Sequence, residues 1–476
     1  MGFWVPVYNK SQNPEPTAGL AHHAPMKGQP VTPTDGTAAT LTPETQPKSP
    51  RKAALASWIG SALEYYDFAV YGTAAALVLN KIFFPEDSPA IGILKSMIVI
   101  GVAYIVRPFG AMIMGPLGDR YGRRFVLMLT LFLMGGATFA IGCLPTYSQV
   151  GLLAPILLVF CRMVQGLSAA GEQSSAISVS LEHAPENRRA FITSWTLQGT
   201  QFGSLIATAI YIPFTSMLSE EQLLSWGWRV PFWLSALVVV TAYIIRRRLA
   251  EPPAYLNQVR DGVPPLKRVF MHHKRAVVTV ALCAMVNTVN MVFTTFALSY
   301  ATKGHGLSQT QMLIVPVASN AVGLLMIPVA AVLADRFGRK PVFITGALTA
   351  SLIMYPYLQA IAEHNWVGIF GFGMLMHGAL YSLANGVWPV FYAEMFPTSV
   401  RVTGLALGTQ IGFALSGGIA PWAATIYAGP ALQEAVGPSI FVVAMCLLVV
   451  VAAWTAPEGR GKTLAELDES LAVAKG

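Results

Sequence analysis

The sequence predicts an all-α membrane protein of twelve transmembrane helices, arranged as two six-helix bundles in parallel repeat. Three observations carry that expectation. Hydrophobic residues make up 54% of the 476-residue chain and charged ones only 11%, against about a quarter charged in an ordinary soluble domain. The mean hydropathy is +0.54, which suits a surface covered by lipid. Twelve apolar windows follow one another between residues 53 and 455, each long enough for a span of about 20 residues. Finally, one charged turn occurs twice, as Gly118-Asp119-Arg120-Tyr121-Gly122-Arg123-Arg124 and Ala334-Asp335-Arg336-Phe337-Gly338-Arg339-Lys340, with the aspartates 216 positions apart.

Taken in chain order, residues 1–50 are rich in Pro, Thr and Ala without periodicity and read as a disordered cytoplasmic tail. No apolar core of a signal peptide precedes Arg51. Windows at 53–80, 91–117, 125–144, 151–181, 190–217 and 228–249 form the expected N-terminal bundle, residues 51–249. A polar cytoplasmic linker, 250–275, leads to windows at 276–301, 309–334, 341–361, 366–393, 402–428 and 437–455, the C-terminal bundle of residues 276–456. Gly199, Gly203, Pro316, Gly323, Pro328 and Gly412 fall inside windows, where membrane bundles use small residues for close approach. Only helices satisfy their backbone groups against lipid without a closed barrel. In the cytoplasmic tail, 457–476, Leu464, Leu467 and Leu471 either line a short amphipathic helix or belong to a solvated segment.

Lys and Arg crowd alternate turns: Arg51 and Lys52, Arg120 to Arg124, Arg188 and Arg189, the linker, Arg336 to Lys340, Arg401, and Arg460 with Lys462. These turns and both termini are therefore expected on the cytoplasmic side of the cell membrane. The same asymmetry accounts for the net charge of +8, and no nucleic-acid partner is expected. Cys143, Cys161, Cys283 and Cys446 lie in apolar windows without paired spacing and read as buried free thiols. Neither a metal site nor a cofactor is indicated, and no nucleotide-binding loop or hydrolase motif appears, so an enzyme is not expected.

Chemistry must rest on ionisable groups placed where they are costly. A charge at the bilayer centre costs about 2.5–3.5 kcal/mol on insertion scales and normally faces a partner or a wet cavity. The first half keeps Glu64, Asp67, Arg107, Arg162 and Glu172 inside its windows. Glu64 and Asp67 share a face with Tyr71, and Arg162, Gln165 and Glu172 fall on one stripe. Arg107 and Arg162 are expected to supply positive charge to an anionic solute or a carboxylate partner, and Asp67 or Glu172 to take a coupling proton; internal salt bridges are the plainer alternative. In the second half, His377, Tyr381, Asn385 and Trp388 recur at helical spacing, with Asn287 and Asn290 as further cavity candidates, each equally suited to helix-to-helix hydrogen bonding.

Repetition extends past the charged turns. Glu182 and Glu394, and Arg189 and Arg401, are both offset by 212. Parallel repeats place a solute site near the midplane between halves. The doubled turn, the two Glu-x-x-Pro-x-x-x-Arg stretches and the twelve-window plan resemble the major facilitator superfamily over residues 53–470. Gly60 to Phe68, Arg107-Pro108-Phe109-Gly110, Arg162 to Gly166 with Gly171-Glu172, Trp226 to Phe232, and Glu251-Pro252-Pro253 resemble its metabolite:proton symporter family. The resemblance implies a monomeric, proton-coupled secondary transporter that brings in a small metabolite, an organic or aromatic acid above all, by alternating access. It also implies a cytoplasmic gate made by Asp119, Arg120, Gly122, Arg123, Glu182 and Arg189 in one half, and Asp335, Arg336, Gly338, Arg339, Glu394 and Arg401 in the other. A proton-coupled exporter is the rival in the same class, and a membrane sensor on a transporter scaffold the rival in another.

Overall fold

The computed structural model describes residues 50–85, 89–121, 123–246 and 265–473. The tail expected at 1–50, all but its last residue, the first part of the linker and Gly122 lie outside these stretches, as do the side chains of Asp119, Arg120, Arg123 and Glu172. Among the described residues all regular structure is helical. Helix occupies most of the described part of every apolar window, with short interruptions. Among the described residues seven helices are long and apolar enough to cross a membrane, and three shorter apolar ones accompany them.

In the first half the principal helices are α1 (Pro50–Ala74), α2 (Pro89–Tyr121), α3 (Arg123–Cys143), α4 (Leu153–Ala169), α5 (Glu172–His183), α6 (Arg189–Ala209) and α7 (Ser235–Arg246). Glycine lets their backbones touch. A Cβ on Gly199 or Gly203 of α6 would collide with the carbonyls of Trp58 and Ala62 on α1, and Gly166 of α4 meets the Ala103 carbonyl of α2 in the same way. Without a hydrophobic force between helices in lipid, such close van der Waals contact is what holds them.

The second half begins with α8 (Pro265–His272), which turns the end of the expected linker into a helix, then α9 (Lys274–Ala284) and α10 (Asn287–Met291). It continues with α11 (Gln309–Phe337), α12 (Arg339–Ala362), α13 (Trp366–Gly373), α14 (Ser382–Asn385), α15 (Trp388–Ala393), α16 (Arg401–Tyr427), α17 (Val436–Thr455) and α18 (Leu464–Val473). Two windows here are interrupted. Window 276–301 breaks at Met285 and Val286 and then runs through wide π-helical turns at Val292–Phe296 and Tyr300–Gly304. Window 366–393 widens at Met374–Tyr381 and breaks at Gly386 and Val387. Such irregular turns concentrate at functional sites, and discontinuous membrane helices point their ends at solute sites.

The halves meet along two helix pairs, α2 with α16 and α6 with α11. At the first, a Cβ on Gly101 would stand 2.6 Å from the Gly418 carbonyl. Large apolar side chains such as Leu237, Leu325 and Trp454 point outward, more than half exposed, as lipid-facing residues should. Two expectations are corrected. Cys143, at the last turn of α3, is exposed, while the other three free thiols are buried. The C-terminal tail forms the helix α18 and buries Leu467, so it is docked rather than solvated.

Candidate functional site

The first half holds a charged interior. Asp67 on α1, Arg107 on α2 and Arg162 on α4 are only 3%, 2% and 1% exposed. Arg162 donates from Nη1 to Gln165 Oε1 at 2.7 Å, and Gln165 Nε2 donates to Thr138 Oγ1 at 2.6 Å. The Thr138 hydroxyl donates to the Met134 carbonyl at 3.0 Å, and the Thr138 side chain bears on the Asp67 carboxyl nearby. A relay of neutral groups on α4 and α3 therefore runs from a buried guanidinium toward a buried carboxylate. Aromatic rings complete the solvation of the cations: Arg162 Cζ lies 3.9 Å from the Tyr71 ring centroid, and Arg107 Cζ lies 4.0 Å from that of Phe68 and 4.5 Å from that of Tyr104. Cation–π contact strengthens where water is absent. Glu64 is buried on the same helix as Asp67.

Between the halves lies a cavity with about 460 Å³ of empty space, the open solvent at its mouth included. From the first half Tyr65, Thr200 and Gln201 line it; from the second, Asn287, Asn290, Tyr381, Asn385, Trp388 and Tyr392. No lining side chain carries a formal charge. Tyr65 connects the wall to the charged interior, since it stands on α1 beside Glu64 and two residues before Asp67. The breaks in the fold place the second-half wall: Asn287 opens α10 just past one interruption, and Trp388 opens α15 just past the other. Behind the wall, His377 is sandwiched between Phe293 and Tyr381, with ring centroids 4.5 and 5.3 Å away and interplanar angles of 14° for both.

The end that carries the charged turns is closed by contacts across the halves. The Asp335 carboxylate accepts the backbone N–H groups of Ala190 and Phe191, both at 3.1 Å, capping the positive N-terminus of α6. Arg189 lies 3.8 Å from Glu394 and donates to the Lys462 carbonyl at 2.8 Å; Arg401 lies 3.9 Å from Glu182. Within the second half, Arg339 grips both oxygens of Glu394 at 3.1 Å, and burial lifts the Glu394 carboxyl above its ordinary value in spite of that pairing. Gly338 takes φ of +107° between α11 and α12, a conformation side chains resist. Glu458 then caps α12 through the N–H groups of Arg339 and Lys340, both at 3.0 Å. Arg336 lies over the Phe337 ring. At the opposite end of α6 and α11 the Thr310 and Thr215 hydroxyls meet at 3.1 Å, so the halves touch on both sides of the cavity.

The structure thus sorts the residues singled out by sequence into three groups. Asp67, Tyr71, Arg107, Arg162 and Gln165 cluster inside the first half, with Glu64 beside them; Asn287, Asn290, Tyr381, Asn385 and Trp388 line the cavity; His377 stands one layer behind. Glu182, Arg189, Asp335, Arg339, Glu394 and Arg401 meet at the charged end, while Arg336 stays exposed. Tyr65, Thr138, Thr200, Gln201 and Tyr392 escaped sequence reading. Tyr65 alone had a signal, since it stands between Glu64 and Asp67 in a recognised stretch; a lone Thr or Gln in an apolar window has none.

Comparison with known proteins supports the same reading. The family model described as Major Facilitator Superfamily matches residues 57–421 and also 280–471. The chain is 36% identical to the shikimate transporter of Escherichia coli over 410 residues, 84% of this chain and 92% of that one. It is 31% identical to the proline/betaine transporter of Salmonella typhimurium, over 77% of this chain and 76% of the other. It is 32% identical to the inner membrane metabolite transport protein YhjE of Escherichia coli, over 90% and 99%. In fold it is similar to the proton:xylose symporter XylE bound to 6-bromo-6-deoxy-D-glucose, with a TM-score of 0.70 at 21% identity, covering 89% of this chain and 99% of that one. The chain belongs to the major facilitator superfamily and is a multi-pass membrane protein of the secondary-transporter class.

Proposed function

We propose that the protein takes up a small carboxylic acid together with protons across the cytoplasmic membrane, as a monomer, with the charged turns and both termini inside. The observation that carries this reading is the burial of Asp67 and Arg162 in one cluster, with a hydrogen-bonded relay from Arg162 through Gln165 to Thr138 running toward Asp67, next to a cavity between the halves. Asp67 is the proton carrier and Arg162 its carboxylate partner. When Asp67 is ionised it balances Arg162 through the relay. When it takes a proton the relay loses its anionic end, and a solute carboxylate restores neutrality, so proton and acid load together. The bundles of residues 51–249 and 276–456 then rock about the cavity, opening the charged end as the opposite end closes. Shikimate, proline and betaine, the solutes named for two relatives, all carry a carboxylate, which supports an acid over a neutral sugar.

The test is uptake of radiolabelled shikimate into proteoliposomes with an imposed gradient, acid outside. Wild type should accumulate the acid uphill. Asp67→Asn should abolish accumulation yet retain solute exchange, because exchange needs no net proton movement. Uphill uptake unchanged in Asp67→Asn overturns the assignment, and acid driven outward by the same gradient makes the protein an exporter.

A further inference from the structure

The hydrogen bonds behind the cavity have a direction. Ser416 Oγ donates its only hydrogen to the Gly412 carbonyl at 2.9 Å, and a carbonyl can only accept. Ser416 must therefore accept from Asn287 Nδ2, 3.4 Å away. With its nitrogen so placed, Asn287 turns Oδ1 toward Asn290 Nδ2, which donates to it at 3.1 Å. Asn290 Oδ1 then faces His377 Nε2 at 3.0 Å, and an oxygen there needs the imidazole proton on Nε2. His377 Nδ1 is buried with no hydrogen-bond partner, as fits the bare nitrogen of that tautomer. Asn385 repeats the pattern, since its Oδ1 accepts from Trp388 Nε1 at 3.2 Å.

All three asparagines line the cavity, and each spends its carbonyl oxygen on an internal donor. What remains for the cavity is amide N–H. Across from them Gln201 Nε2 is buried without a partner. A wall rich in donors, free of side-chain cations and anions, suits a carboxylate, which only accepts.

We propose that the second half, not the arginines of the first, holds the solute's carboxylate, in a nest of N–H groups from Asn287, Asn290 and Asn385 whose polarity is fixed by the positioning residue His377. This rests on the uptake reading for the identity of the solute as an acid. Phe293 and Tyr381 hold the imidazole in plane, so its Nε2–H keeps the Asn290 amide from turning its oxygen into the cavity.

The experiment measures binding of shikimate to purified protein through tryptophan fluorescence, Trp388 being in the wall, alongside gradient-driven uptake. His377→Phe keeps the stack but loses the donor; Kd and KM should rise at least tenfold while kcat stays within about twofold. His377→Gln, which restores an N–H, should recover affinity to within about threefold of wild type. Asn290→Asp, which places an anion against the carboxylate, should abolish binding of the acid. Unchanged Kd in His377→Phe, equal affinities for the Phe and Gln variants, or acid binding retained by Asn290→Asp overturns the nest. Binding that follows this pattern in a protein that shows no uphill uptake would leave the nest standing and remove the uptake reading.

Discussion

The two halves descend from one plan and do opposite chemistry. The first buries charges: an aspartate and two arginines, one of them heading a relay toward the aspartate, and both shielded by aromatic rings. The second buries amides, a histidine and aromatic rings, with no charged side chain in its share of the cavity wall. A charged interior answers to protons, and a neutral donor-rich one answers to shape and to acceptors without titrating itself. Dividing the tasks lets the solute site stay neutral itself while its affinity follows the charge state of the proton site. At the gate the halves remain alike in composition but unlike in contact: Asp335 makes two short bonds across the interface, whereas Glu182 reaches Arg401 only at 3.9 Å.

The largest effect should come from unbalancing the charged interior. Arg162→Met leaves Asp67 without its distant counter-charge and removes the charge-assisted hydrogen bond to Gln165, of a kind worth about 1.5–3 kcal/mol. In the second half, Ser416→Ala removes one neutral acceptor and should cost about 1 kcal/mol. Denaturant unfolding in detergent measures both. Adding Asp67→Asn to Arg162→Met should recover much of the lost stability, since the double variant buries neither charge, while uphill transport stays absent. Equal costs for Arg162→Met and Ser416→Ala would erase the distinction between the halves.

An intermediate effect is expected at the gate. Asp335→Ala removes two charge-assisted bonds to the α6 N-terminus, each of a kind worth about 1.5–3 kcal/mol, and at about 1.4 kcal/mol per factor of ten should shift the closed charged end toward opening by on the order of a hundredfold or more. Glu182→Gln, with its longer contact at 3.9 Å and no short hydrogen bond, should shift it by no more than about threefold, in keeping with weak pairs. Labelling rates of cysteines introduced along the cytoplasmic half of the cavity report both. A larger effect from Glu182→Gln would mean that the close contacts of Asp335 are not what holds the end shut.

Much of this was legible in the sequence because insertion into lipid taxes residues one by one. Apolar windows must be helices, so their order emerged without knowledge of packing, and buried charges such as Asp67, Arg107 and Arg162 stand out because they are costly. Duplication exposed the gate residues in the same way. Hidden were the features that depend on partners. Thr138 and Gln201 are inexpensive in a helix, and nothing in the chain announces that one stands between two buried charges or that the other fronts a cavity. The direction of the asparagine chain follows from one serine bonding its own helix at Gly412, a choice invisible to periodicity. Interruptions at Met285 and Gly386 were also unread: window length reports that a span exists, not where its helix yields. Cys143 was misplaced inside because an apolar window has an end, and the last turn of α3 is that end.

The smallest effect belongs to the end opposite the charged turns. There Lys81 bonds Glu220, with both side chains substantially exposed, 42% and 69%. The hydrogen bond from Lys81, then its charge, hold the Glu220 carboxyl below its ordinary value of 4.5, with Lys303 adding a weaker pull. A depressed carboxylate contributes stability above its unfolded value and loses it as pH falls through the lower folded value. Solvent screening keeps that contribution small, about 0.5 kcal/mol or less at pH 7. Glu220→Gln should therefore lose no more than this at pH 7, and the difference from wild type should shrink as pH falls below about 4.5 and in 1 M salt, where the screening length is about 3 Å. A deficit above about 1 kcal/mol, or one that grows in acid, would show that this exposed pair within the first half holds its end of the bundle more firmly than solvent screening allows.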